Sequence, residues 1–332
     1  QVKSIADESE YDYLIIESTG ISDPLPVAQV LSGVGHGKEE EGSRDDFGDL
    51  ANYDGQTFSF SLDTLVTVVD SANFLEEVRR ADDLGERGLI VEEGDTRTIA
   101  DLLIAQVEFA NVILLNKGDL ISLADMDTLE ALVRRLNPNA RVMRTTRASL
   151  AMDEVVGTGL FDLECTAEAA DWSHHHHDHD RDQNHSHESL GVGSFTYRAR
   201  RPFHSERLME FVMDNLPTVL RSKGFLWLAT RHNTAGVWNQ AGGSFAMDYG
   251  GVWEEESGGQ GDAEGGGGIQ TDDENFDDAF HYGERCNELV FIGIGMDETS
   301  LRARLDLALL TSEEMEGGPQ KWDRMTDPFP PW

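Results

Sequence analysis

The sequence predicts an α/β protein, a parallel sheet with helical crossovers, followed by a smaller α+β domain. Short aliphatic runs alternate with stretches of helical spacing through the first half of the chain. Residues 166–191, rich in histidine and acid, then break that pattern, and beyond them strand-like runs dominate. At 332 residues the chain is too long for one average domain and suits two.

Taken in order, residues 11–16 form an apolar run that reads as a buried parallel strand, interrupted by Glu17-Ser18-Thr19-Gly20 and followed by a helix at 24–31. Residues 33–56 are glycine-rich and acidic, an expected exposed loop. The β-branched run 64–69 predicts a strand ending at Asp70. Residues 98–110 have helical spacing, 112–115 give a third buried strand that ends directly at Asn116, and 123–136 predict a helix stopped near Pro138. Strands alternating with helices imply a parallel sheet.

Residues 166–191 hold too few apolar side chains to offset the entropy of ordering, so a disordered linker is expected. Beyond it, strands are expected at 193–200, 225–230, 245–253 and 288–294, with Ser205 capping a helix through Asn215. A final helix should be capped by Asp297, with Leu301, Leu305 and Leu309 on one face. Residues 254–278 read as an acidic, glycine-rich insertion. The domains expected are therefore 1–165, a linker at 166–192, 193–315 and a tail at 316–332. Trp227, Trp238 and Trp253 should fill a core, and Arg221 and Lys223 should lie on an exposed basic turn. His204, His232 and His281 have no partner evident in the sequence.

Acidic residues number 63 against 26 basic, a net charge of −37. Such a field repels a phosphate backbone and excludes nucleic acid as a partner. No apolar run reaches the roughly 18 residues of a membrane span, which excludes a helical membrane protein. Cys165 and Cys286 form no C-x-x-C pair, so neither a disulfide framework nor a cysteine zinc site is indicated, and a reducing cytoplasm fits. The chain opens on Gln1 with no charged-then-apolar leader, which predicts a fragment.

The chemistry concentrates at Asn116-Lys117-Gly118-Asp119. Guanine presents two adjacent N–H donors that one fixed carboxylate can accept together, and adenine lacks this pair, so Asp119 is the candidate base reader. Asn116 would brace the loop and the Lys117 stem would lie along the base. The preceding strand delivers this loop to the carboxyl edge of the sheet, where α/β proteins bind ligands. Glu17 is placed to act on Mg²⁺ or its waters, and Gly20 to let the backbone approach a terminal phosphate.

These segments resemble a known family. Residues 12–24 (DYLIIESTGISDP), Leu62-Asp63 with 66–70, and 106–120 (QVEFANVILLNKGDL) are similar to successive blocks of the CobW-type metal-chaperone GTPases, relatives of HypB and UreG. Residues 200–204 (RRPFH), 221–227 (RSKGFLW) and 288–293 (ELVFIG) resemble the CobW carboxy-terminal domain. The resemblance implies a truncated P-loop GTPase sheet and a GTP-driven protein that delivers zinc or cobalt to a client metalloenzyme. It brings GTP, Mg²⁺ and Zn²⁺ or Co²⁺ as expected cofactors, and a homodimer stands among the expected partners. The family's phosphate loop, G-x-x-x-x-G-K-[ST], has no match here: Gly37-Lys38 is followed by Glu39 where a hydroxyl is needed. The family's Cys-x-Cys-Cys metal motif has no match either, and both differences fit an amino-terminal truncation. GTP hydrolysis thus stands on the resemblance alone, and a non-enzymatic metal-binding or client-docking protein is the alternative.

His174, His175, His176, His177, His179, His185 and His187 cluster beside Asp178, Asp180, Asp182 and Glu188. Imidazoles with carboxylates suit Zn²⁺, Ni²⁺ or Co²⁺, so the tract is a candidate metal collector.

Overall fold

The computed structural model describes residues 11–20, 22–31, 61–80, 97–162, 190–214, 216–253, 282–283 and 285–332. The chain divides into two compact units, Gln1–Ser186 and His187–Trp332. The loop expected at 33–56, the histidine tract and the insertion at 254–278 lie outside the described residues. No helix among the described residues is long and apolar enough to cross a membrane.

The first unit contains α1 (Pro24–Leu31), β1 (Val66–Asp70), α2 (Phe74–Arg80), α3 (Ile99–Glu108), β2 (Val112–Asn116), α4 (Leu123–Leu136) and β3 (Arg141–Arg144). The strands form a parallel sheet in the order β1-β2-β3 among the described residues. Val112, Ile113, Leu114 and Leu115 of β2 are all buried, as a central parallel strand requires. Helix α3 starts where Thr98 and Asp101 cap each other reciprocally. Helix α4 starts where the Ser122 side chain accepts the Asp125 N–H at 3.1 Å. Both helices end around Asn137, which is 3% exposed. Its amide nitrogen donates to the carbonyls of Val107, Glu108 and Ala110 at 2.8 to 3.0 Å, and its oxygen accepts from Asn139 and Ala140. One side chain thereby satisfies the carbonyls at the end of α3, and deleting it would strand them at a cost of about 3 kcal/mol.

Residues 11–16 are not the expected strand. They have no ladder partner among the described residues, and Ile15 remains 69% exposed. Burial of a parallel strand comes from its neighbours, and among the described residues β1 is itself an edge whose Val66 and Val68 are 40% and 55% exposed. A side-chain contact holds the segment instead: the Tyr13 hydroxyl donates to Asp63 Oδ2 at 2.6 Å. Asp63 also accepts the N–H groups of Thr158 and Gly159. The Tyr13 hydroxyl, opposed by burial and helped by the backbone donors, holds Asp63 below its ordinary carboxylate range.

The second unit contains β4 (Val192–Ala199), α5 (Ser205–Met213), β5 (Val219–Trp227), β6 (Thr234–Ala241), β7 (Ser244–Val252), β8 (Asn287–Ile294), α6 (Glu298–Ala308), α7 (Ser312–Glu316) and α8 (Pro319–Trp322). Its antiparallel sheet runs β4-β8-β5-β6-β7. Leu208 and Phe211 of α5 and Leu301, Leu305 and Ala308 of α6 pack with Phe195, Tyr197, Trp238, Leu289 and Phe291 from the sheet. Trp227 and Trp238 are buried as expected, and Trp238 Nε1 donates to Ser222 Oγ at 2.7 Å. Asp297 caps α6 through the Ser300 N–H.

Some details differ from the sequence reading. Ser205 is the first helical residue of α5 rather than its cap, and its hydroxyl bonds Thr230 Oγ1 at 2.6 Å. Arg221 is 5% exposed, because β5 lies between β8 and β6 rather than forming a turn; its guanidinium donates to the Gln240 carbonyl at 3.1 Å. In the expected tail, Trp322 is 0% and Phe329 5% exposed.

The Arg207 guanidinium donates to both Glu314 oxygens, at 3.0 and 2.7 Å. That pair, opposed by burial and helped by the Thr311 N–H, holds Glu314 at about 2 against an ordinary 4.5. A carboxylate depressed in the folded state stabilises above its unfolded value and loses that contribution as pH falls from about 4.5 toward about 2. Partial exposure of both partners screens the pair, so the loss should be roughly 1–3 kcal/mol. Trp322 Nε1 donates to the Glu314 carbonyl at 2.8 Å, so tryptophan fluorescence should follow unfolding at that end of the unit. Arg207→Met is expected to flatten the acid dependence of the urea midpoint over this range; an unchanged slope would remove the pair as its cause.

Candidate functional site

Parallel pairing sets Asp70 directly beside Asn116, so both five-residue strands VTVVD and VILLN end in a polar residue at the same sheet edge. The Ser71 N–H donates to the Asn116 carbonyl at 3.0 Å, which carries the pairing into the loops. Lys117 adopts a left-handed conformation, φ 61° and ψ 32°, and turns the chain into the short 3₁₀ segment Gly118–Leu120. A side chain at Gly118 would meet Met126 at 3.1 Å and the Thr145 carbonyl at 3.3 Å, so the turn packs tightly on β3's exit and α4. The Gly118 N–H donates to that Thr145 carbonyl at 3.1 Å.

Asn116 braces this turn as expected. Its Oδ1 accepts the Ala148 N–H at 2.8 Å and the Thr145 hydroxyl at 3.3 Å. Arg147 and Ala148 both have positive φ, 54° and 50°, so the Asn116 side chain holds a backbone that costs energy to adopt. Asp119 is exposed, and its carboxylate makes no hydrogen bond or ion pair with a described residue. The loop thus presents one acceptor-only group, carried on a braced turn, at the carboxyl edge of a parallel sheet. The Lys117 ammonium bonds Asp70 Oδ2 at 2.7 Å. Burial opposes ionisation of Asp70, but Lys117, Asn73 and the Ala72 N–H outweigh it and hold the carboxyl below its ordinary range.

Glu17 is exposed and sits in an irregular segment, not at a strand end, because residues 11–16 make no ladder with the described residues. Gly20 belongs to a turn closed by the Ser22 N–H to the Thr19 carbonyl at 3.0 Å. The Gln106 amide ties this turn to α3, donating to the Gly20 and Ser22 carbonyls at 3.1 and 2.9 Å. Arg97 pairs with Asp23 at 2.6 Å just beyond it. The structure therefore brings Asn116, Lys117 and Asp119 into one loop and fastens the Gly20 turn to α3.

His174, His175, His176, His177, His179, His185 and His187 lie outside the described residues, as does His281. No group of three or more His, Cys, Asp or Glu side chains that could hold a metal occurs among the described residues. His232, without evident partner in the sequence, has Nδ1 3.3 Å from Asp323 Oδ1, and His204 Nδ1 is buried without a hydrogen-bond partner among the described residues. Sequence reasoning missed Asp70 and the 145–149 loop as parts of the site. The matched strand endings signalled Asp70, whereas residues 145–149 show no periodicity that would mark them.

The chain is similar to known proteins along most of its length. Residues 1–144 match the family described as "CobW/HypB/UreG, nucleotide-binding domain", and residues 192–309 match "Cobalamin synthesis protein cobW C-terminal domain". A zinc-regulated GTPase metalloprotein activator of Dictyostelium discoideum is 36% identical over 99% of this chain and 66% of its own length. A zinc chaperone of Mycobacterium tuberculosis is 28% identical over 81% of this chain and 61% of its own length. The chain thus spans about three-fifths to two-thirds of the length of these curated relatives. A solved structure of Zn(II)-bound YjiA GTPase from E. coli covers 93% of this chain and 75% of that chain at 18% identity, with a TM-score of 0.34. With both matches in order along most of its length, and the Asn116 to Asp119 loop seated inside the first, the chain belongs to the CobW family.

Proposed function

We propose that this chain is the base-reading and carboxy-terminal portion of a GTP-dependent metallochaperone that delivers zinc to a client metalloprotein. The observation that carries the reading is the Asp119 carboxylate, exposed and unpaired among the described residues, on a turn fixed by Asn116 and Lys117. A carboxylate with both oxygens open fits the N1–H and exocyclic amine of guanine. When bound, the nucleotide would supply a transferable phosphoryl group. In this reading Asp119 selects the base, the Lys117 stem covers one ring face, Glu17 holds Mg²⁺ or its waters, and Gly20 admits the terminal phosphate. Gln106 then links the Gly20 turn to α3, a route by which phosphate contacts could move the sheet edge. The names of the relatives, a zinc-regulated GTPase metalloprotein activator and a zinc chaperone, support zinc as the cargo. The acidic, cysteine-poor composition supports a cytoplasmic setting, and association into a homodimer is part of the same reading.

Calorimetric titration of the chain with GDP, ADP and Zn²⁺ tests the proposal. GDP should bind and ADP should not compete; equal affinities for the two would overturn it.

The histidine tract is proposed to collect the zinc before transfer. Neutral imidazole is the ligand, and protons compete for its nitrogen, so zinc uptake should weaken as pH falls below about 6.5. A variant lacking residues 173–188 is expected to lose most zinc sites in a calorimetric titration at pH 7.5. Unchanged stoichiometry would take the tract out of the mechanism.

A further inference from the structure

We propose that Asp70 is a positioning residue for base recognition, holding the Lys117 ammonium so that the lysine stem forms a fixed wall against a purine ring. The proposal rests on the base-reading role given to residues 116–119 and assigns that site a further member, from a different strand.

The geometry is specific on both sides of the pair. Asp70 ends β1 opposite Asn116, the last residue of β2, so the sheet itself sets the spacing between the carboxylate and the lysine that follows Asn116. The Asp70 carboxylate is locked by two further donors, the Ala72 N–H at 3.1 Å on Oδ1 and Asn73 Nδ2 at 2.8 Å on Oδ2. Its position is therefore set before Lys117 arrives. The left-handed backbone of Lys117, φ 61°, aims the start of the side chain, and the 2.7 Å ion pair with Asp70 fixes its end.

As an ion pair this contact adds little to folding, because Lys117 and Asp70 side chains are 47% and 33% exposed and water screens them. Its consequence for a ligand is larger. A lysine stem with several rotatable bonds must be ordered to lie along a base, and a stem held in advance has already lost that freedom. A purely structural role, in which Asp70 only closes the turn into α2, requires the Ala72 and Asn73 contacts but not the lysine.

Asp70→Asn removes the charge that holds Lys117 and leaves an amide oxygen for the Ala72 N–H, but it also loses the Asn73 contact on Oδ2, so the Lys117→Met background, where only a turn-closing effect can still show, separates the two roles. The readout is calorimetric affinity of the full chain for GDP and for IDP, whose hypoxanthine lacks the exocyclic amine. Asp70→Asn is expected to weaken both by about three- to tenfold and to leave their ratio unchanged, because the stem contacts ring atoms common to both. Lys117→Met, an exposed substitution, should give a similar loss, and adding Asp70→Asn to it should weaken binding no further. Three results would overturn the assignment: unchanged affinity in Asp70→Asn, the same additional loss in the Lys117→Met background, or a changed GDP-to-IDP ratio. If the parent chain shows no preference for GDP over IDP, the base-reading role of Asp119 fails first and the Asp70 proposal falls with it. An altered ratio confined to Asp70→Asn defeats the Asp70 assignment alone.

Discussion

Asp119→Ala is expected to lower affinity for GDP by about a hundredfold and to erase the preference for GDP over IDP. The carboxylate would accept two hydrogen bonds from guanine, and a charge-assisted bond contributes about 1.5–3 kcal/mol. Losing both should cost about 3 kcal/mol, which corresponds to the hundredfold change. IDP can donate only through its ring N–H, so the parent should discriminate between the two ligands by about tenfold and the variant by almost nothing. The loop itself should survive, because the Asn116 bonds to Ala148 and Thr145 and the Gly118 bond to Thr145 do not involve Asp119. Calorimetric titration with both nucleotides checks this, alongside thermal unfolding to confirm that the fold is intact. A variant that still prefers GDP would remove Asp119 from base recognition. Asp119→Asn carries the argument further: an amide can donate where the carboxylate could only accept, so the preference should move toward xanthine nucleotides, which present a carbonyl at the position of the guanine amine.

The largest effect on stability is expected from Gly224→Ala in the second unit. Gly224 has φ +149°, and a Cβ built there would lie 1.9 Å from the Glu288 carbonyl oxygen and 3.0 Å from the Leu289 Cα. Both obstacles are backbone of β8, which pairs with β5 in the middle of the sheet, so no side-chain rotation relieves the clash. β5 and β8 must separate or the Gly224 backbone must leave its conformation, and either breaks ladder bonds between them. A loss of about 4 kcal/mol or more follows, enough to unfold a unit of ordinary stability. Gly251→Ala is the control: φ is also positive, +106°, but nothing lies within 4 Å of the added methyl. It should cost about 1 kcal/mol from backbone strain alone. Urea unfolding followed by tryptophan fluorescence distinguishes them, and similar midpoints for the two variants would refute the steric account.

Much of the fold was legible because local chemistry and tertiary context agree. The aliphatic run 112–115 could only be a buried strand, Ser122 and the apolar spacing after it mark α4, and Asp297 announces α6. Legibility failed where a residue's fate depends on its neighbours. Residues 11–16 have the composition of a buried strand, yet they make no ladder with the described residues and stay exposed, because a strand is made by its partners as much as by its own side chains. Arg221 reads as a surface charge, but its strand lies inside the sheet and its guanidinium turns to the Gln240 carbonyl. β6 was hidden because residues such as Asn239 and Gln240 dilute its apolar pattern; their polar groups are satisfied by Arg221, Ser222 and the Gly242 carbonyl.

The sequence by itself determined the family and marked Asn116 to Asp119 as the loop proposed to read a base, since a four-residue motif after an aliphatic strand and the ordered blocks around it are properties of the linear chain. Only the tertiary structure decided how that loop is held. Asn116 reaches Ala148 across 32 positions, Lys117 reaches Asp70 across 47, and Gln106 reaches Gly20 across 86. Asn116 and Lys117 meet their distant partners where parallel strands end at a common edge, and Gln106 meets Gly20 where α3 lies against that turn; the periodicity of any one segment carries no record of which other segment lies beside it.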